Sequence, residues 1–596
     1  MTAVNNKAAN IQSFQAKESV SKIIHNHLEA NKVDKVFGFS GGAVLSLIDQ
    51  FHSEKKGNIT FITNSNEQLS GFSAAGYAKS TGKVGVAVVS SGPALTNMVT
   101  PLLDCYHDGV PIILFSGQVS TKAQPDSFQF SPATDITKSC TKWSYKIKDG
   151  DNISQVVKKA FTLAISGRPG PVHIDCPSDL LPKLTNYDVN SCNMAKPNNT
   201  NLLQDNINEK FNKLEKLISQ AEKPIFYIGK GANNCAPEVR TWLEKIKAPV
   251  VTTIHAKGVV NENHPLSLGM VGMHGNPAAN VAIQSADLIL ALGSRFDDRT
   301  IGNPSLYAPN AKKASEENRG GFVHVDIRES QNGLIIKPDL FFNMDVAQFL
   351  EGASKLQMEP KNKWLKEVDK LKQERDIFSD YSEGSEVPST QDVIKILNDK
   401  IETSNSIITT GVGVHQMAAA QFINMQSPNQ FITSGSLGTM GSSLGFAVGA
   451  KLGNPEKLVI AIDGDGSFNM SNTELKTLME LKLPVKVLLL NNNSEMMVKY
   501  WQKLFYNERY LSTENQNCDY NKLADAYSIE NYLIKDKSEL SDKMDQWLSA
   551  EGPSLLHVEV SQTPCLPLVK PGSALDDMIE KDQSIIIDQS QSDKAT

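Results

Sequence analysis

KLVIAIDGDGSFNM (457–470), read together with PVKVLLLNNN (484–493), decides the fold. Each stretch runs as a short apolar strand and stops in turn-forming residues, Gly464-Asp465-Gly466 in one and Asn491-Asn492 in the other. Asp465 and Asn492 therefore stand at the carboxyl ends of neighbouring strands, the edge where open α/β sheets take ligands. D-G and N-N are ordinary turn dipeptides when met alone. Their placement after two successive strands, twenty-seven residues apart, makes them a candidate ion and phosphate site.

Magnesium prefers hard oxygen ligands in an octahedron that leaves room for phosphate oxygens. The Asp465 carboxylate, the Asn492 amide oxygen and the Ser494 carbonyl meet that requirement. Gly464 and Gly466 let backbone N–H groups approach a diphosphate, and Ser467 opens the following helix with a hydroxyl donor.

The same alternation of strand and helix extends outward from this pair. IITTG, QFITSG and PSLLHVEV complete an α/β domain over residues 388–570. A first such domain, 15–185, carries VDKVFGF, ITFIT, GVAVVSS, PIILFSG and PVHIDC, with helical segments such as NEQLSGFSAAGYAKSTG. A middle one, 205–355, carries PIFYIGKG, PVVTTI, LILALGS and FVHVDI in the manner of a nucleotide-binding sheet. The fold class is thus α/β, with three doubly wound parallel-sheet domains. The Asn-rich segment 187–201 reads as a linker, KNKWLKEVDKLKQERD (361–376) as a solvated helix, and residues 1–14 and 588–596 as flexible tails.

Composition excludes several classes. A net charge of -7 over 596 residues, without a Lys/Arg cluster, argues against a nucleic-acid partner. Residues 403–450 carry no Asp, Glu, Lys or Arg, but glycines and serines interrupt them too often for a membrane helix, so they read as buried backbone beside a ligand. The seven cysteines include no C-x-x-C pair and read as reduced intracellular thiols. The start MTAVNNKAANIQSFQAKES has neither an apolar signal core nor arginine, which makes cytoplasm the default compartment.

The G-D-G…N-N arrangement, with FGFSGGA (37–43), SSGPALTN (90–97), SCTKW (139–143), GRPGPV (167–172), GMHG (272–275), SRFDDR (294–299) and TSGSLGTMG (433–441), resembles the acetohydroxyacid synthase (acetolactate synthase) family of thiamine diphosphate-dependent enzymes, catalytic subunits of fungal and plant type. The resemblance runs from about Lys17 to Asp582. It implies decarboxylation of pyruvate and transfer of the two-carbon unit to a second 2-keto acid, pyruvate or 2-ketobutyrate, as in branched-chain amino acid biosynthesis. Glu67, within NITFITNSNEQ, takes the place of the glutamate that activates the aminopyrimidine by hydrogen bonding N1′. Met440 matches the residue beneath the bent cofactor, and Gln129 and Phe128 match residues near substrate. Val498 and Trp501 match the acceptor pocket, where an indole favours an apolar side chain. His415, Val414, Glu495, Met496 and Met497 match the shell of the diphosphate.

For the middle domain the resemblance implies FAD without net redox chemistry, held by Arg168, Gly229, Gly231, Met273, His274, Gly293, Arg295, Asp297, Arg299, Asp326, Ile327 and Asp345. It also implies an active site shared across a subunit boundary, hence a homodimer or homotetramer, with a separate regulatory subunit as a further partner.

The chain departs from the family where it surrounds the cofactor. Asn66 replaces the usual His, LSGFSAAGYA replaces GAGHMAEGYA, Val414 replaces Gln, and Glu495 and Met496 replace Gln and Gly. A carboxylate at Glu495 repels a diphosphate, and Met496 removes backbone freedom from a turn, so weakened cofactor binding is expected. Two other readings follow: a thiamine diphosphate-dependent decarboxylase or carboligase with different substrates, and a non-catalytic paralogue that retains FAD.

Overall fold

The computed structural model describes residues 15–55, 57–188, 192, 206–375, 377 and 385–580. The expected tails lie outside them, as does most of the expected linker. Tyr187 and Asp188 are not linker: they belong to β8 (Leu184–Asp188), which pairs antiparallel with β1 (Gln15–Ser19) and buries Tyr187.

Three six-stranded sheets, parallel throughout, organise the described chain. The first contains β2 (Lys35–Gly38), β3 (Thr60–Thr63), β4 (Gly85–Val89), β5 (Ile112–Gln118), β6 (Trp143–Lys146) and β7 (Val172–Pro177), in the order β3-β2-β4-β5-β7-β6. The second contains β9 (Pro224–Ile228), β10 (Val250–Thr252), β11 (Ser267–Met270), β12 (Leu288–Leu292), β13 (Gly321–Asp326) and β14 (Leu340–Asn343), ordered β11-β10-β9-β12-β13-β14. The third contains β15 (Ser406–Thr410), β16 (Phe431–Ile432), β17 (Leu458–Gly464), β18 (Val485–Asn491), β19 (Glu530–Ile534) and β20 (Ser554–Glu559), ordered β16-β15-β17-β18-β20-β19. A short antiparallel ribbon, β21 (Leu568–Val569) with β22 (Met578–Ile579), follows.

The first and third sheets are wound identically, whereas the middle one has the order that dinucleotide-binding sheets use. The strand order reverses between β15 and β17 in the third sheet, where β20 also returns inside β19, and between β9 and β12 in the second. In open α/β sheets ligands bind outside the carboxyl ends of the strands at such a reversal. The chain clusters into two compact units, one carrying the first sheet and the other carrying the second and third, with Gly76–Gly82 counted to the latter.

Central strands are buried on both faces, which is why they read as unbroken apolar runs. The helix Asn362–Glu374 was expected to be solvated, yet it buries Trp364 and Val368, and the indole donates to the Pro224 carbonyl at 3.0 Å. In the middle core, Trp242 meets Phe226 and Phe349 edge-on at 5.1 and 5.6 Å. Truncating it to alanine is expected to destabilise the unit by about 3–5 kcal/mol, read from denaturant unfolding, with Trp242→Phe markedly milder.

The first core also buries His27, whose ring nitrogens have no hydrogen-bond partner. Burial, helped by the charge of Lys158, pushes this imidazole down to about 4. The unfolded chain therefore binds a proton that the folded one refuses. The stability contribution is complete above about pH 6.5 and is lost as pH falls toward the folded value of about 4. The melting temperature is expected to drop across that window, and His27→Leu to flatten the drop; an unchanged slope would place the acid sensitivity elsewhere.

Candidate active site

Three loops meet at the carboxyl edge of the third sheet. Residues 411–415 follow β15, residues 465–467 follow β17, and residues 492–495 follow β18, so the first two flank the point of strand-order reversal. Parallel register sets Thr410 beside Ile462 and Gly464 beside Leu490, which holds the loops level.

Asp463 is fully buried and its Oδ1 lies 3.3 Å from His415 Nε2. A Cβ at Gly411 would stand 2.2 Å from both Asp463 Oδ1 and Ser467 Oγ, so only glycine allows this approach. Gly411 and Asp463 were not among the residues expected from the sequence. Ser467 Oγ accepts from the Gly441 N–H at 2.8 Å, tying the TSGSLGTMG loop to the β17 turn.

Asp465 is 2 % exposed, and its Oδ2 accepts from Asn517 Nδ2 at 2.8 Å and Asn515 Nδ2 at 3.0 Å. Asn492 Oδ1 accepts from the Ser494 N–H at 3.0 Å, while the Ser494 hydroxyl donates to the Thr513 carbonyl at 2.7 Å. Among the described residues the Ser494 carbonyl takes part in no loop or cap backbone hydrogen bond, which leaves it free for a cation. No group of three or more His, Cys, Asp or Glu is placed to hold a metal among those residues. The donor set is one carboxylate with neutral oxygens, the kind that suits magnesium completed by phosphate oxygens. Asn515 and Asn517 were missed from the sequence because their polar loop carries no motif; only the fold brings them to Asp465.

The departures from the family pattern fall into two groups. Val414 and Met496 pack into one apolar cluster with Tyr500 and Leu504, joined by Met273 and Met497. The expected loss of backbone freedom at Met496 does not occur. Met496 is the first residue of the helix Met496–Phe505, and the left-handed turn falls on Asn493, whose φ is 53°. Glu495 behaves differently: its carboxylate lies against Gly466, where a Cβ would stand 1.9 Å from Oε1.

The buried stripe of that helix is Met496, Tyr500 and Leu504. Val498 is 50 % exposed and Trp501, one turn on, stacks on Phe505 at 5.0 Å. Both thus lie off the core-facing stripe, as wall residues would. Met440 is half-buried in the loop before the helix Ser443–Gly453.

The first unit carries Glu67 at the start of the helix Glu67–Thr81, its Oε2 accepting from Asn97 Nδ2 at 2.9 Å. Asn66 caps that helix: its Oδ1 accepts the Leu69 N–H at 2.9 Å. The exchange of His for Asn therefore serves the helix start. Phe128 (88 % exposed) and Gln129 stand on an exposed loop. Arg168 also lies in this unit and donates to the carbonyls of Tyr106 and His107.

The remaining flavin candidates gather along the carboxyl edge of the second sheet. Gly229 and Gly231 follow β9, Gly293 to Arg299 follow β12, Asp326 ends β13 and Ile327 follows it, Asp345 follows β14, and Met273 and His274 follow β11. The glycines are required by one another: a Cβ at Gly231 would stand 2.7 Å from the Gly293 Cα, so two turns cross at the reversal point. Burial pushes His274 down to about 4, which keeps it neutral. Asp345 Oδ1 caps the helix Val346–Ala353 through the Ala347 N–H at 2.9 Å, and Asp326 Oδ1 accepts the Arg328 N–H at 2.8 Å. Arg295 donates to Ser436 Oγ at 2.8 Å, and Arg299 to Met273 Sδ at 3.2 Å.

All seven cysteines are free thiols, five of them buried. No helix among the described residues is long and apolar enough to cross a membrane.

Comparison with known proteins agrees with this arrangement. The thiamine pyrophosphate enzyme N-terminal TPP binding domain matches residues 18–138, the central domain 211–352 and the C-terminal TPP binding domain 411–558. The chain is 40% identical to the mitochondrial acetolactate synthase catalytic subunit of Saccharomyces cerevisiae, over 95% of this chain and 84% of that protein. It is 34% identical to the acetolactate synthase isozyme 2 large subunit of Escherichia coli, covering 93% and 98%, and 35% to the chloroplastic acetolactate synthase 1 of Nicotiana tabacum, covering 94% and 84%. The chain belongs to the acetolactate synthase family of thiamine diphosphate-dependent enzymes.

Proposed function

We propose that the protein joins two 2-keto acids, decarboxylating pyruvate and passing its two-carbon unit to a second pyruvate or to 2-ketobutyrate, in branched-chain amino acid biosynthesis. The observation that carries this reading is the loop triad at the third sheet's reversal point. There a buried Asp465, the Asn492 amide oxygen and a free Ser494 carbonyl offer a hard-oxygen set beside glycines that leave backbone open.

These residues fit magnesium, which Asp465, Asn492 and Ser494 would hold, and through it the diphosphate. When bound, thiamine diphosphate supplies the carbon nucleophile that takes up the keto acid and releases carbon dioxide. The protein's part is to present and shield. Glu67 offers a carboxylate to N1′ of the aminopyrimidine, oriented by Asn97. Met440 supports the bent cofactor, and Val498 with Trp501 offers an apolar wall that selects the acceptor's side chain. Phe128 and Gln129 complete the substrate's surroundings.

The second sheet supports an FAD site through its dinucleotide-type strand order and its crossing glycines. The family reading implies an active site shared across a subunit boundary, hence at least a homodimer. The names "catalytic subunit" and "large subunit" of two relatives support a regulatory partner here as well. The mitochondrial name of the Saccharomyces cerevisiae relative supports mitochondria; microscopy of the chain tagged at its C-terminus tests this against the cytoplasm.

The test is to purify the protein, record flavin absorbance, titrate thiamine diphosphate with magnesium, and assay acetolactate and acetaldehyde from pyruvate. Acetolactate formation supports the proposal, and acetaldehyde alone supports the decarboxylase. Failure to bind cofactor at millimolar concentration supports the non-catalytic paralogue, a reading that the position of Glu495 favours.

A further inference from the structure

Glu495 is set in place by more than its own side chain. Its N–H donates to the Thr513 carbonyl at 2.9 Å, and Asn515 N–H donates to the Asn493 carbonyl at 2.8 Å, so a two-sided bridge fixes the segment. The Asn515 side chain then reaches across. Its Nδ2 donates to Glu495 Oε1 at 3.2 Å and to Asp465 Oδ2 at 3.0 Å, so one neutral amide serves both carboxylates. Among the described residues neither carboxylate has a Lys, Arg or His within ion-pair distance; nearby Lys499 is engaged by Glu514 and Gln562.

The carboxylate fills a definite space. A Cβ on Gly466 would lie 1.9 Å from Oε1 and 2.6 Å from both Cδ and Oε2 of Glu495, so any residue other than glycine at 466 excludes this conformation. Gly466 directly follows the cation ligand Asp465, and its open backbone is where a diphosphate would draw near. A carboxylate and a phosphate oxygen seek the same donors and the same cation, and they repel at short range.

We propose that Glu495 is a tethered anion that holds the diphosphate's place beside Gly466, so that the cofactor binds only by displacing it, and that Glu495 and Gly466 together set cofactor affinity. The proposal rests on the thiamine diphosphate reading given above. Displacement leaves the Asn515 amide on Asp465 and releases its second contact toward the incoming anion. Val414 and Met496, sequestered in their apolar cluster, take no part in this competition.

The experiment is a double-variant cycle on the full chain. Thiamine diphosphate is titrated at fixed magnesium by calorimetry into the native protein, Glu495→Gln, Gly466→Ala and the double variant. Glu495→Gln is expected to tighten binding at least about tenfold. Gly466→Ala is expected to weaken binding in both backgrounds, because the new methyl takes the space that the Glu495 carboxylate and the diphosphate contest. Melting curves report whether each variant folds, and the Gln variant, equal in size, guards against loss of Gly466→Ala. Equal affinity of the native protein and Glu495→Gln overturns the proposal and leaves the family reading intact. Weaker binding by Glu495→Gln also overturns it, since the carboxylate is then a cation ligand. Absence of binding in all four proteins overturns both.

Discussion

Replacing Glu67 with glutamine is expected to lower acetolactate formation by about 10²–10⁴-fold, the range that one positioned acid or base contributes. The side chain sits at the first turn of the helix Glu67–Thr81, behind the Asn66 cap, and its Oε2 is engaged by Asn97. Glutamine keeps the size and an oxygen for Asn97, so melting temperature and cofactor affinity should change little while the rate collapses. Asn97→Ala should give a smaller loss, because it removes the orienting donor and leaves the carboxylate. Both are read from single-turnover carbon dioxide release and from calorimetric titration. Activity within tenfold of native in Glu67→Gln would show that another group performs the activation.

The sequence revealed the sheets unevenly, and the reason is burial. Every central strand appears as a continuous apolar run, but four strands of the three six-stranded sheets went unseen: Trp143–Lys146, Ser267–Met270, Leu340–Asn343 and Glu530–Ile534. All four are edge strands. They have one open side and mixed exposure, so WSYK and ENYLI show neither a clean alternation nor an apolar run. The helix Asn362–Glu374 misled in the other direction, because its many charges concealed a Trp364 that is 1% exposed.

The site was legible where chemistry is local. Asp465, Asn492 and Ser494 stand on consecutive strand ends, and a turn motif after each strand reports that directly. Asn515 and Asn517 come from a loop that only the folded chain returns to Asp465, and no spacing rule finds them. The departures were legible as substitutions but not as geometry. Met496 and Val414 looked like damage to a phosphate shell; in the structure they complete an apolar cluster. Glu495 instead lies against Gly466, which carries the competition proposed above.

Removing the charge of Asp465 is expected to be the most damaging change to binding. Its carboxylate is 2 % exposed and is the only ionised group in the proposed ligand set, which otherwise offers an amide and a carbonyl. Outer partners of metal ligands are worth about 10–100-fold in affinity, so loss of this ligand should cost at least about 100-fold in magnesium-dependent binding of thiamine diphosphate. Asp465→Asn retains the shape and one oxygen for Asn515 and Asn517, and the fold should survive. Manganese titration followed by electron paramagnetic resonance, with the diphosphate present, measures the loss independently of turnover. Glu495→Gln in the same assay should move affinity the opposite way. Two carboxylates joined by one amide would then be separated by function: Asp465 holds the cation that recruits the diphosphate, and Glu495 opposes its arrival. If Asp465→Asn left manganese and cofactor affinity unchanged, the cation would lie elsewhere and the turn after β17 would be a structural feature only.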